Sequence, residues 1–238
     1  KRDSEVIRTL KYPRPEKSGF TKLRWGIDEK GVDRPSRTLR KSRRESSGRP
    51  ALPGTYEIEV SLGETTSNAT IEVGLDPRLL HTLEDFMSTY AAQGTLEQMT
   101  SNLAESTEKL AKAKKELDVM KAALKDLELE NKEELNDKVK NNLKTIESLQ
   151  NSIFGTIDKR QGITRNPEMT VMNRISNASR YVRTRVSGVT DTEKQLMQFA
   201  EKAVNEATDS INHYLVTEYA ELLRLTSDIS SPLLKAVE

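Results

Sequence analysis

Two imidazoles, His81 and His213, are all the histidine in the chain; they stand 132 positions apart, and cysteine is absent. A zinc site needs three or four nitrogen or sulfur ligands at short spacing, and a histidine-dependent triad needs a nucleophile and a carboxylate converging on one ring. Neither has material to build on here. His81 is expected at a domain junction, and His213, beside Tyr214, on a surface or in a helix seam. Carboxylates are numerous, and glycoside hydrolysis runs on a pair of them. Glu128, Glu130, Glu133 and Glu134, however, gather at a helix end or turn, where a solvated face is the expectation rather than a calcium site or a catalytic pair. Gly54 and Gly63 are isolated turn glycines and do not make a phosphate loop. No catalytic, cofactor-binding or metal-ligating residue is assigned, and no cofactor is expected.

One cluster can bind something. Arg34, Arg37, Arg40, Lys41, Arg43, Arg44 and Arg49 put seven basic residues against the single Glu45 within sixteen positions. Flexible guanidinium groups suffice for phosphate or sulfate contacts, so an acidic glycan, lipopolysaccharide or nucleic acid is the ligand class for this segment. It lacks the interleaved aromatic residues on which bases stack, and an exposed polar insertion between strands explains it as well. Trp25, Tyr56 and Leu62 could form a sugar-stacking platform. Their alternation on short strands assigns them instead to a core.

The elements that must position these residues follow from period and charge. Residues 1–50 carry 16 Lys and Arg against 7 acids, leaving 22 against 30 for the rest, so the near-neutral total of +1 conceals two different halves. With 34% hydrophobic and 32% charged residues and a mean hydropathy of -0.68, the chain is too polar for one large core and suits thin helical bundles. No run of 18 apolar residues is present to span a membrane. Period two marks strands at Glu5–Leu10 and Thr21–Ile27, then a hairpin from Tyr56–Leu62 to Asn68–Val73, with Asp28–Pro50 read as a basic loop. Residues 1–77 are thereby expected to form a small antiparallel β-sandwich of immunoglobulin or fibronectin-III type, with Trp25, Tyr56, Ile58 or Val60, and Ile71 or Val73 buried.

From Thr82, whose spacing to Asp85 is that of a capping box, the period becomes helical. Leu96, Met99, Leu103, Ser106, Leu110, Ala113, Leu117, Met120, Leu124 and Leu127 step by three and four, a heptad seam in which Gly94 is the weak point. Helices are expected near 82–130, 133–154, 167–186 and 191–228, the third opened by Asn166-Pro167-Glu168 and the fourth by Thr190 and Glu193, so that residues 78–238 close an antiparallel bundle. The stretch 128–134 has neither Gly nor Pro, which leaves a continuous helix and a dimer through the 96–127 seam as the alternative to a monomeric bundle.

The runs Asp3-Ser4-Glu5-Val6-Ile7-Arg8-Thr9-Leu10, Leu23-Arg24-Trp25, Ala51-Leu52-Pro53-Gly54-Thr55-Tyr56-Glu57-Ile58-Glu59-Val60 and Leu75-Asp76-Pro77-Arg78 resemble the C-terminal region of bacterial sortilin-like, BNR-repeat β-propeller proteins labelled glycosyl hydrolase or sialidase-like. That family has Asp directly after the Trp, where this chain has Gly26, and fewer arginines in the loop. The resemblance implies an immunoglobulin-like domain followed by helices, propeller blades upstream that hold any sugar or peptide chemistry, and an exported bacterial protein, periplasmic, cell-surface or secreted. The functional expectation is a non-catalytic structural and interaction module partnered with propeller domains. The alternative is a polyanion-binding module acting through 34–49.

Overall fold

In a computed structural model, which describes residues 1–39, 44–126, 128, 131–156, 169–185 and 187–226, the strands are β1 (Asp28–Lys30), β2 (Ser47–Pro50), β3 (Gly54–Leu62) and β4 (Thr65–Val73). The helices are α1 (Leu83–Asp126), α2 (Lys132–Phe154), α3 (Val171–Arg183), α4 (Asp191–Tyr214) and, after a π-helical turn at Leu215–Tyr219, α5 (Ala220–Thr226). The chain divides into two compact units. One is built from Lys1–Asp33, Lys41–Gln98 and Ser179–Asp191, the other from Arg34–Arg40, Met99–Ala178 and Thr192–Glu238.

The expected β-sandwich does not form. Among the described residues there are two separate two-stranded antiparallel sheets, β1 with β2 and β3 with β4. Glu5–Leu10 and Thr21–Ile27, expected as strands, are not extended ladders: period-two patterning does not make a strand without a partner for its backbone. Val6, Leu10, Leu23 and Ile27 of these segments stay at the surface, and only Ile7 and Trp25 pack inward. Short strands form instead inside the segment read as a loop, where Asp28 faces Pro50 and Lys30 faces Ser47 across an irregular register.

The hairpin matches its pattern. Nine residue pairs run from Gly54 opposite Val73 to Leu62 opposite Thr65, closed by the two-residue loop Gly63-Glu64. Gly63 has φ 61°, the sign that the first central position of a type II′ turn requires and that only glycine supplies cheaply. The core of this unit is small: Ala51, Tyr56 and Val73 are buried, with Ile7, Trp25 and Ile71 packed against them. Trp25 is half-buried, edge-on to Tyr56 at 5.6 Å and 63°, and its indole N–H donates to the Asp28 carbonyl at 2.8 Å. Ile58 is half-buried, whereas Val60 and Leu62 project into solvent.

The capping box opens α1: Asp85 N–H donates to Thr82 Oγ1 at 3.1 Å and Thr82 N–H donates to Asp85 Oδ2 at 3.0 Å. In the second unit the seam from Met99 to Leu124 is buried within the single chain, with Leu103, Leu110, Leu117 and Leu124 wholly inaccessible. Leu127 lies outside the described residues. α1 ends at Asp126 and α2 starts at Lys132, so the helix is interrupted; Lys132 Nζ donates to the Lys125 carbonyl at 2.8 Å. Leu135, Val139, Ile146 and Ile153 of α2 and Ala200, Val204 and Ile211 of α4 are buried as well.

Polar side chains lock these helices. Tyr214 Oη donates to Asn142 Oδ1 at 3.0 Å, and Tyr219 Oη donates to Glu116 of α1. Residues five apart point about 140° from one another on an α-helix, so both tyrosines could not face inward without the widened turn between them. With it both are buried, their rings 6.2 Å apart. Burial, and for Tyr219 the Glu116 carboxylate, raises both phenol pKa values well above the ordinary range. Among the described residues no helix is long and apolar enough to cross a membrane.

Candidate functional site

The ionisable residues of the first unit converge on Arg49. β2 carries Arg49, β1 carries Glu29 beside Asp28, and α1 carries Tyr90 and Glu97, seven residues apart and so on one side of the helix. Arg49 Nη2 lies 3.3 Å from Glu29 Oε2, and its Nε lies 3.0 Å from Glu97 Oε2 as an ion pair without hydrogen-bond geometry. Its guanidinium carbon stands 4.1 Å over the Tyr90 ring, and Tyr90 Oη donates to Glu29 Oε1 at 2.7 Å. Gly94 now has its reason, since a Cβ there would sit 2.7 Å from Arg49 Nη1. Arg8 extends the cluster, donating to the Glu29 carbonyl at 3.2 Å and to the Ser46 carbonyl, with Nη2 3.6 Å from Asp28 Oδ2.

This arrangement is closed on itself. Two arginines meet three carboxylates, and each carboxylate lies against a guanidinium rather than aiming at open space. Burial raises the Glu97 carboxyl pKa, with Arg49 opposing, and burial together with the bond to Glu29 pushes Tyr90 up to about 12.

Beside the cluster lies a hollow of about 220 Å³ whose walls include Ala51, Leu75, His81, Phe86, Tyr90 and Arg183. Its carboxylates are again committed. Asp76 accepts from Arg78 Nε at 2.9 Å and Nη2 at 2.6 Å, bonds that hold its carboxyl well below the usual range. Asp85 is engaged by the helix cap, whose Thr82 N–H and hydroxyl lower its pKa. His81 stacks on Phe86 at 6.5 Å, and its buried Nδ1 has no protein partner. The hollow supplies neither an activated nucleophile nor a pair of free carboxylates, and among the described residues no group of three or more His, Cys, Asp and Glu is placed to hold a metal.

The seven basic candidates have different fates. Arg34 and Arg44 are exposed, and Arg40, Lys41 and Arg43 lie outside the described residues. Arg49 is the centre of the cluster above. Arg37 belongs to the second unit, where Nη1 donates to Asn151 Oδ1 at 3.1 Å, Nη2 donates to the Gly155 carbonyl, and the guanidinium lies 5.2 Å from the Phe154 ring. Gln150 Nε2 donates back to the Arg37 carbonyl at 2.9 Å, so Arg37 caps the C-terminal end of α2. Arg37 and Arg49 thus fall in different units and both serve the fold. Sequence reasoning passed over Asp28, Glu29, Tyr90 and Glu97, whose only signal was acids placed next to the basic run and on the facing helix.

Comparison of the chain with protein-family models, with curated proteins and with solved structures finds no match.

Proposed function

We propose that this chain is a non-catalytic structural and interaction module of a larger exported bacterial protein, carried beside β-propeller domains as its sequence runs resemble. The observation behind this reading is the closed charge cluster around Arg49. Catalytic groups sit with perturbed pKa values facing a cleft that substrate can enter. Here the raised groups of the cluster, Glu97 and Tyr90, are engaged by Arg49 and Glu29, and the lowered carboxylates beside the hollow, Asp76 and Asp85, are engaged by Arg78 and Thr82. Assays of the full chain on chromogenic glycosides, sialosides and casein should give no turnover; turnover abolished by replacing one carboxylate overturns the reading.

The polyanion alternative loses two of its seven side chains to internal tasks, Arg37 at the α2 terminus and Arg49 in the cluster. Elution from heparin at low salt, unchanged by Arg34→Ala with Arg44→Ala, is the outcome expected of the module. Salt-resistant retention lost in that double variant would establish the alternative.

A further inference from the structure

α1 presents one face to the hollow beside the Arg49 cluster. Phe86, Thr89, Tyr90 and Gln93, spaced by three and four, all line it, and the described residues of its walls belong to the first unit. The rings on that face stand in file, His81 against Phe86 at 6.5 Å and 26°, and Phe86 against Tyr90 at 6.4 Å and 19°. Ala51, Pro53 and Leu75 add apolar surface. With about 220 Å³ of room, the hollow exceeds the roughly 150 Å³ of an engineered apolar cavity that takes up one benzene. It has space for a single ring with a short substituent.

Two of the wall residues are polar and buried. Thr89 is 8% exposed and Gln93 9% exposed, and among the described residues neither the hydroxyl nor the amide hydrogen-bonds to the protein. Buried polar side chains are nearly always paired, because an unmet one forfeits its water without replacing it. Neither group is sealed from solvent, so a molecule in the hollow can reach both. The Gln93 amide offers an acceptor beside donors, and the Thr89 hydroxyl can donate or accept. The edge that complements them also sets a donor beside an acceptor, as a primary amide or a lactam does.

Charge selects against acids and amines. Asp76 and Asp85 line the hollow together with Arg183 and Arg185. Arg78, bound to Asp76, is offset by the one carboxylate that the neighbouring cluster of Asp28, Glu29 and Glu97 holds in excess of its two arginines. The charges cancel, so an ionised ligand would bring one that nothing matches into a partly dry site.

From the unmet Gln93 and Thr89 side chains and the ring-lined wall we propose that this hollow binds a small, uncharged, planar ring carrying a primary amide or lactam edge. The ring lies against Phe86 and the apolar wall, and the amide edge pairs with Gln93 and Thr89. The site goes beyond the module reading and stands independently of it.

Benzamide is the probe, with benzoate and benzylamine as its charged counterparts, each titrated into the ¹⁵N-labelled full chain. Saturable shifts of the Gln93 side-chain amide and of the backbone amides of Phe86, Thr89 and Tyr90 are expected at millimolar benzamide, with both charged probes binding more weakly. Gln93→Met keeps the size of the side chain and removes its hydrogen-bonding groups, so it should weaken benzamide roughly tenfold. The melting temperature of this variant without ligand should equal or exceed that of the parent, since no internal bond is lost. Thr89→Val should weaken benzamide several-fold in the same titration. No saturable shift, equal binding of the three probes, or benzamide binding unchanged in both variants overturns the proposal. A lowered melting temperature for Gln93→Met does so too, because it would place the amide in a bond within the protein.

Discussion

Arg49 shows how a residue that reads as ligand-binding becomes structural. Its side chain lies between Glu29 and Glu97 and over Tyr90, so removing it leaves two partly buried carboxylates without their cation. Arg49→Leu should cost about 2 kcal/mol at pH 7, less than a fully buried pair because water reaches all three groups. The pH dependence has a definite sign. Burial already raises the Glu97 pKa above its ordinary 4.5, and losing Arg49 raises it further. A carboxyl raised in the folded state stabilises below its unfolded value and loses that contribution as pH rises through the folded one. The deficit of Arg49→Leu should therefore be full at pH 7 and shrink toward pH 4.5, checked by urea unfolding across that range. A deficit that grows on acidification would contradict it.

Gly94 belongs to the same argument. Replacing a mid-helix glycine by alanine ordinarily adds roughly 0.5 to 1 kcal/mol of stability. Here the new methyl would press on an arginine that cannot move away from its two carboxylates and its ring. Gly94→Ala should give no gain, whereas the same change in an Arg49→Leu background should recover it. A double-mutant cycle of unfolding free energies measures the coupling.

At the scale of elements, Thr82 and Asp85 carry a helix of 44 residues on a reciprocal cap. Thr82→Ala should cost about 1 kcal/mol at pH 7. The backbone N–H at position 82, which alanine keeps, and the Thr82 hydroxyl both lower the Asp85 pKa, so only the hydroxyl's share of the cap fades as pH falls below the ordinary aspartate value of 3.8. The gap in thermal unfolding between Thr82→Ala and the parent chain should narrow in acid without closing, because the Asp85 N–H bond to Thr82 Oγ1 does not titrate.

This cap was legible because its two residues are local to one turn, and the β3–β4 hairpin was legible because nine paired residues alternate around a two-residue loop. The sandwich was not. Glu5–Leu10 and Thr21–Ile27 have the alternation, but a strand is defined by its ladder, and the pairing of β1 with β2 is accompanied by ion pairs from Arg49 of β2 to Glu29 and from Arg8, outside both strands, to Asp28, which no apolar pattern signals. On α2 the buried positions run Leu135, Val139, Asn142, Ile146, Gln150 and Ile153, while Leu143 and Leu149 stay half-buried. A reading that follows only apolar residues steps past Asn142, although its spacing keeps the three-and-four rhythm better than Leu143 does. What fixes Asn142 there is Tyr214, 72 residues away.

For the molecule as a whole, what remains to be decided is whether the heptad seam closes within one chain or between two. Within the second unit Leu110 and Leu117 are wholly inaccessible in the single chain, and the apolar positions of α2 and α4 are buried too. The polar ties between these helices are intramolecular as well: Tyr219 to Glu116, Tyr214 to Asn142, Thr145 to Glu218 at 3.0 Å and Lys138 to Glu221 at 3.0 Å. A second chain docking along the seam would have to displace α2 or α4 and leave those faces in water, which area burial disfavours. Ser106 and Ala113 at seam positions suit the close approach of several helices better than a leucine zipper between two chains. Leu117→Ala should then cost about 2 to 5 kcal/mol, the range for a buried leucine that leaves a cavity. Its melting temperature and that of the parent should not move with protein concentration, because a one-chain transition contains no association step. A midpoint that rises with concentration, together with twice the chain mass in light scattering, would assign the seam to a dimer instead.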